Sequence, residues 1–180
     1  MMLKERAALA DIANALGLTT AVEIGTHQGV FAASFMERFR GSIDLIDPWE
    51  GFTEGFDTYY PAVDESSRDR NNDLEIAKSE LHKFGGRVSF LRMKSEDAVC
   101  LFDNDSVGLV YIDGLHEYED VSRDISLWYP KVVSGGIIAG HDFDACLPGV
   151  IRAVDEFRRQ TWLAINLTQD AMSSWWAIKP

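Results

Sequence analysis

Five places in the sequence set polar or charged residues directly behind a short apolar run: Glu23 to Gly29 (EIGTHQG), Asp47, Lys94 to Asp97 (KSED), Asp113 to His116 (DGLH) and His141 to Asp144 (HDFD). Gly25 and Gly29 lack a Cβ, so backbone there can approach a ligand closely. Glu23 can accept hydrogen bonds from an ammonium group or from loop amides. A helix starting near Gln28 would aim free N–H groups at the same place. Without a ligand, the same run is simply a tight strand-to-helix turn. Asp47 can accept both hydroxyls of a ribose, as acids at the end of a second strand do for adenosine cofactors. Asp47-Pro48 could equally start a turn. Asp113, His141 and Asp142 can converge on a divalent cation, which would hold a substrate oxygen and lower its pKa. His116 brings an imidazole that accepts protons near pH 7. It could also ligate the metal, cap the following helix or pack against Tyr118.

The elements that must position these groups alternate along the chain. Leu9, Ile12, Ala13 and Leu16 form a helical stripe that Gly17 ends. TTAVEIG is a buried strand, Gln28 to Phe39 a helix with Phe31, Phe35 and Phe39 at four-residue spacing, and SIDLID a second strand. A helix over Asn72 to Phe84, ended by Gly85-Gly86, precedes the strands RVSFLRM and VGLVYID. Tyr118, Val121, Ile125 and Trp128 mark the stripe of an amphipathic helix. GGIIAGHD is strand five, and Val150, Ile151, Val154 and Phe157 mark the last helix. WLAINL and SSWWAIKP close the chain as strands joined by QDAM, a link too short for a parallel crossover. The fold class expected is α/β, a Rossmann-like, doubly wound, mostly parallel sheet with a C-terminal antiparallel hairpin strand. Such sheets bind ligands at the carboxyl ends of their strands, which is where all five polar runs fall.

Residues 1–180 read as one domain, a length that suits a single core. A net charge of -12 argues against nucleic acid and anionic membrane surfaces as partners. Cys100 and Cys146 show no metal-binding spacing and read as reduced thiols. The charged start MMLKERAALADIANAL is no signal peptide, and no apolar run approaches the ~20 residues of a membrane span, so a cytoplasmic location is expected.

VEIGTHQG resembles the first motif of class I methyltransferases: an acid, a Gly, then a second Gly four residues on. The dinucleotide fingerprint GxGxxG spaces its glycines differently, which speaks against an NAD-type oxidoreductase. The run YIDGLHEYEDVSRDISLWYPKVVSGGIIAGHDF is similar to small methyltransferases grouped with macrocin O-methyltransferase and cephalosporin-hydroxylase-like proteins. Asp113, Gly114, His116, Tyr118, Asp124, Trp128, Gly135, Gly136, His141 and Asp142 carry that resemblance. It implies S-adenosylmethionine as cofactor, with Glu23, Gly25, Thr26 and Gly29 at its methionine end, Asp47 at the ribose, and Ser95 and Glu96 by the adenine. Read without the family, Ser95 is only the N-cap of a helix. Asp113 is expected both beside the cofactor and in catalysis. Related metal-dependent O-methyltransferases place an Asp after strand four and an acid pair after strand five. Here His141 replaces the first acid of that pair, a departure that weakens magnesium, which prefers oxygen, and suits a transition metal better. His116 falls at the offset of the catalytic base in catechol O-methyltransferase.

The reading is therefore O-methyl transfer to a small hydroxylated acceptor, with Mg or Mn as the metal at Asp113, His141 and Asp142. The alternative is a cofactor-binding regulatory protein without turnover. The segment of about 49–70 (Trp49, Phe52, Phe56, Tyr59 and Tyr60) is expected to close over the site as a lid, or else to make the contact of a homodimer. Trp175 and Trp176 alternate along a strand, so one is expected to face the core. His27 and His82 are read as ordinary.

Overall fold

The computed structural model describes residues 3–50 and 70–180. Seven strands form one sheet: β1 (Thr20–Ile24), β2 (Ser42–Asp47), β3 (Val88–Arg92), β4 (Val107–Ile112), β5 (Val132–Gly140), β6 (Asn166–Leu167) and β7 (Trp175–Ile178). Among the described residues six α-helices accompany them: α1 (Leu9–Ala15), α2 (Val30–Met36), α3 (Arg70–Leu81), α4 (Ser95–Ala98), α5 (Tyr118–Trp128) and α6 (Pro148–Thr161). The strand order is β3-β2-β1-β4-β5-β7-β6. The first five strands pair in parallel, and β7 runs antiparallel to both β5 and β6. This is the expected doubly wound sheet with its closing hairpin.

The sequence forms these strands because both faces of the sheet are covered. Every residue of β4 is buried, and near-continuous apolar runs are what such burial demands. Leu109 and Tyr111 point to one core with Leu9, Phe31, Phe35 and Phe39. Val110 and Ile112 point to the other, with Val121, Trp128, Val154 and Phe157. Trp175 and Trp176 follow the same rule. They lie in opposite cores and are both buried, so the expectation that only one would be is corrected.

Several boundaries differ from the sequence reading. The helix expected from Gln28 begins at Val30, because His27 (φ 53) and Gly29 (φ 75) take left-handed backbone that no α-helix accommodates. The strand expected over WLAINL shrinks to Asn166–Leu167, since Trp162 ends α6 in a left-handed turn. Trp49 is corrected more sharply: at 1% exposure it is a core residue, and its indole N–H donates to the His27 carbonyl at 2.8 Å. Phe52, Phe56, Tyr59 and Tyr60 lie outside the described residues. No helix among the described residues is long and apolar enough to cross a membrane.

The register positions the site. Ile24 pairs with Ile46 and Ile112, and Ile112 pairs with Gly140, so β1, β2, β4 and β5 end level. The ladder runs one residue further: Gly25 N–H donates to Ile46 O (2.9 Å), Asp113 N–H to Ile24 O (2.8 Å) and His141 N–H to Ile112 O (2.9 Å). The last bonds of the sheet thus fix the first residues of the polar loops.

Candidate active site

The loop after β1 is built on close approach. A Cβ on Gly25 would lie 2.0 Å from the Asp113 carbonyl oxygen, and its φ of 84° suits glycine alone. This contact holds the β1 loop against the β4 loop at the point where the sheet order reverses. Glu23, 1% exposed, and Thr26, 3% exposed, stand beside it. Glu23 Oε2 and Thr26 Oγ1 are buried without a well-formed hydrogen bond, the Thr26 hydroxyl standing beside the Glu23 carboxyl. Burial, helped by the charge of Asp113, pushes the Glu23 carboxyl well above the ordinary range. An unmet buried acceptor is costly and needs an explanation.

Asp47 ends β2 and ties two loops together. One carboxylate oxygen accepts the His27 N–H at 2.9 Å, the other the Trp49 N–H at 2.7 Å. His27, read as ordinary from sequence, is therefore part of the framework. Its imidazole Nε2 also lies 3.6 Å from a carboxylate oxygen of buried Asp73, which accepts Gln28 Nε2–H at 2.8 Å.

At the ends of β4 and β5 the acids and imidazoles meet. His141 Nδ1 is 2.8 Å from Asp142 Oδ1 and 3.6 Å from Asp113 Oδ1. His116 Nε2 is 2.7 Å from Asp142 Oδ2. The structure brings His116 to the acids, and the N-cap of α5 is Glu117. One ligand atom each from Asp113, His141 and Asp142 lies within 4.8 Å of the others. Two carboxylates and an imidazole at that spacing fit a divalent cation. Asp113 is held above the usual carboxylate range by burial, against the pull of His141 and with the push of Asp142. Burial would raise Asp142 as well, but hydrogen bonds from His116 and His141 hold it below the ordinary range. Asp142 also adopts φ 61°, a left-handed conformation that Asp tolerates better than most residues.

The remaining expected residues divide. Ser95 is the first residue of α4, after Lys94 as N-cap, so it is not the N-cap expected. Its hydroxyl donates to Asp124 Oδ1 (2.6 Å) and accepts the Trp128 indole N–H (2.8 Å). This chain of bonds pins the β3 loop to α5. Glu96, expected by the adenine, follows Ser95 in α4, half-exposed and 3.9 Å from Arg123. Asp144 bonds the Cys146 N–H at 3.0 Å and stays outside the cluster. One residue escaped the sequence reading altogether. Arg6 reaches in from the N-terminal turn, with Nη1 3.2 Å from Asp113 Oδ2. No spacing signal links it to a strand end more than a hundred positions away.

A family model described as a methyltransferase domain matches residues 22–143, which span the predicted site residues from Glu23 to Asp142. The chain belongs to this methyltransferase family. A methyltransferase fold of this kind also appears in solved structures at low identity. The O-methyltransferase NovP aligns with a TM-score of 0.70 and 20% identity, covering 97% of this chain and 78% of its own. The O-methyltransferase TomG from Streptomyces achromogenes, solved in complex with SAM, gives 0.65 and 14% over 97% and 79%. An O-methyltransferase from Bacillus cereus, solved in complex with SAH, gives 0.66 and 12% over 96% and 80%. At such identities the likeness is one of fold. By sequence, the methyltransferase is 27% identical over 131 residues to the uncharacterized protein y4gI of Sinorhizobium fredii (strain NBRC 101917 / NGR234). That alignment takes in 67% of this chain and spans only 13% of the length of y4gI.

Proposed function

We propose that this methyltransferase uses S-adenosylmethionine to methylate a hydroxyl group of a small molecule, with a divalent metal at Asp113, His141 and Asp142. The observation that carries the reading is Glu23 Oε2, buried without a well-formed hydrogen bond, beside the Asp113, His141 and Asp142 cluster, all at the strand ends. The O-methyltransferases of like fold support it, two of them solved with SAM or SAH.

Glu23, Gly25, Thr26 and Gly29 would hold the methionine end, where an ammonium group meets the buried Glu23 and Thr26 oxygens. Asp47 would hold the ribose. Each of its oxygens carries one amide hydrogen bond and keeps a lone pair for a hydroxyl. Ser95 would act by the adenine through position, because its hydroxyl is committed to Asp124 and Trp128. When bound, S-adenosylmethionine supplies a methyl group already activated by its sulfonium. The protein's task is then to align the acceptor oxygen and remove its proton. His116 is held through Nε2 by Asp142, and its imidazole would take the proton of the acceptor hydroxyl. A cation at Asp113, His141 and Asp142 would lower the pKa of the acceptor hydroxyl.

The net charge of -12 argues for a small acceptor rather than a nucleic acid. Incubation with methyl-labelled S-adenosylmethionine, Mg or Mn, and catechol- and sugar-like acceptors tests the proposal. Label in an acceptor, lost with the His116→Ala variant, is the expected result. Tight cofactor binding without transfer to any acceptor would favour the second reading, a regulatory protein that binds the cofactor only.

A further inference from the structure

We infer that Arg6 receives the α-carboxylate of the methionine end of S-adenosylmethionine, exchanging Asp113, one of its present partners, for it. This rests on the S-adenosylmethionine reading above and assigns a residue outside the matched span 22–143.

The methionine end is a zwitterion, so its site must answer both charges. The ends of β1 and β4 answer one: Asp113 attracts an ammonium and repels a carboxylate, and Glu23 adds a buried acceptor oxygen. A cation must stand beside them, and Arg6 does. Its Nη1 lies 3.2 Å from Asp113 Oδ2, and its guanidinium carbon lies 5.5 Å from the centre of the Phe31 ring, at the start of α2. Phe31 in turn stacks on Tyr111, the residue before Ile112 and Asp113, at 3.8 Å. Arg6 thus bridges the ends of α2 and β4, flanking the Gly25 contact.

Its placement is built rather than incidental. The Arg6 backbone N–H donates to Asp170 Oδ2 at 3.0 Å. Three residues earlier, the Leu3 carbonyl accepts the Gln169 N–H at 3.0 Å, and Leu3 bridges to Thr168. The N-terminal turn is stitched to the turn between β6 and β7, and the side chain is carried from there to Asp113. Its side chain is 25% exposed, so the ion pair is partly shielded from water.

Charge conservation makes the exchange feasible. In the free protein Arg6 and Asp113 neutralise each other. On binding, the ligand ammonium takes the place of Arg6 at the acids, and the ligand carboxylate takes the place of Asp113 at Arg6. Neither buried charge is left alone, which would be strongly unfavourable. A guanidinium offers a planar fork matched to a carboxylate and cannot lose its proton.

The test is calorimetric and compares two ligands. S-adenosylhomocysteine carries the amino-acid end. 5′-Methylthioadenosine keeps the adenosine and the sulfur but lacks it. In an Arg6→Met variant, S-adenosylhomocysteine should bind about 10- to 100-fold more weakly, the range of a lost charged hydrogen bond. Methylthioadenosine should change less than about threefold, within the scatter of such measurements. Arg6→Lys should recover part of the loss. Equal weakening of both ligands would make Arg6 a structural residue and overturn the inference, as would no weakening of either. If the unaltered protein binds neither ligand, the S-adenosylmethionine reading itself fails. If it binds methylthioadenosine but not S-adenosylhomocysteine, the site does not take an amino-acid end, and the methionine-end reading falls together with the Arg6 assignment.

Discussion

His116 Nε2 lies 2.7 Å from Asp142 Oδ2, joining the end of β5 to the loop that leads into α5. The acid thereby anchors the imidazole beside the strand ends, and it is itself shared with His141 at 2.8 Å. If His116 is the base, His116→Ala should lower kcat about 100-fold or more with little change in KM for S-adenosylmethionine. Asp142→Asn should lower it too and change the shape of the pH–rate profile. Steady-state rates across pH check both, and an unchanged His116→Ala rate would assign His116 to structure.

Asp142 and Asp124 give opposite pH dependences of stability. Asp142 is depressed in the folded state, so its contribution is present above the ordinary carboxyl value of 3.8 and is lost as pH falls through the lower folded value. Asp124, 9% exposed, is raised by burial from 3.8 to about 6, against the Ser95 hydrogen bond. The folded state therefore favours its protonated form, and stability falls as pH rises from about 4 through about 6. Asp124→Asn, which can still accept from Ser95, should raise stability at pH 8 by up to about 3 kcal/mol and do little at pH 4. Asp142→Asn should cost stability at pH 7, with the cost shrinking only gradually as pH falls below 3.8. Thermal melts of both variants at these pH values decide the signs.

Gly25→Ala should be severe. The new Cβ would fall 2.0 Å from the Asp113 carbonyl oxygen, with φ at 84°. Backbone on both sides leaves nothing to give, so a loss of roughly 3 kcal/mol or more is expected. Gly85→Ala, with no atom within 4 Å of the new Cβ, shows the cost of positive φ alone and should be milder. Denaturant midpoints of the two compare clash with strain.

His141 should set the choice of metal. An imidazole among two carboxylates suits Mn or a later transition metal better than Mg. His141→Asp should shift the ratio of Mn to Mg affinity toward Mg by about tenfold or more. Calorimetric titration of each metal measures the ratio, and an unchanged ratio would place the metal elsewhere.

Much of this site was legible because parallel sheets put their ligands at one place. The runs ending in Ile24, Asp47, Ile112 and Gly140 announced their own ends, and the polar residues that follow them converge as expected. Asp113, His141 and Asp142 could be grouped from that rule alone. What could not be read depended on contacts with no local signature. Left-handed backbone at His27 shortened α2, and only the fold shows His27 braced by Asp47. Trp49 looked like a loop aromatic, yet its indole N–H finds the His27 carbonyl and the ring goes inside. Ser95 and Asp124 are polar residues on separate elements, and burial makes them partners. Arg6 reaches Asp113 across 107 positions, and no periodicity encodes that.

The central claim is that the strand ends form an S-adenosylmethionine site with Asp47 at its ribose. Titration of S-adenosylhomocysteine into the protein, into Asp47→Asn and into Asp47→Ala tests it most directly. Saturable heat with the unaltered protein is predicted, weakened about tenfold or more in Asp47→Ala, with Asp47→Asn between them. No binding of S-adenosylhomocysteine or S-adenosylmethionine to the unaltered protein at about millimolar concentration, where even contacts worth about 4 kcal/mol register, would contradict it.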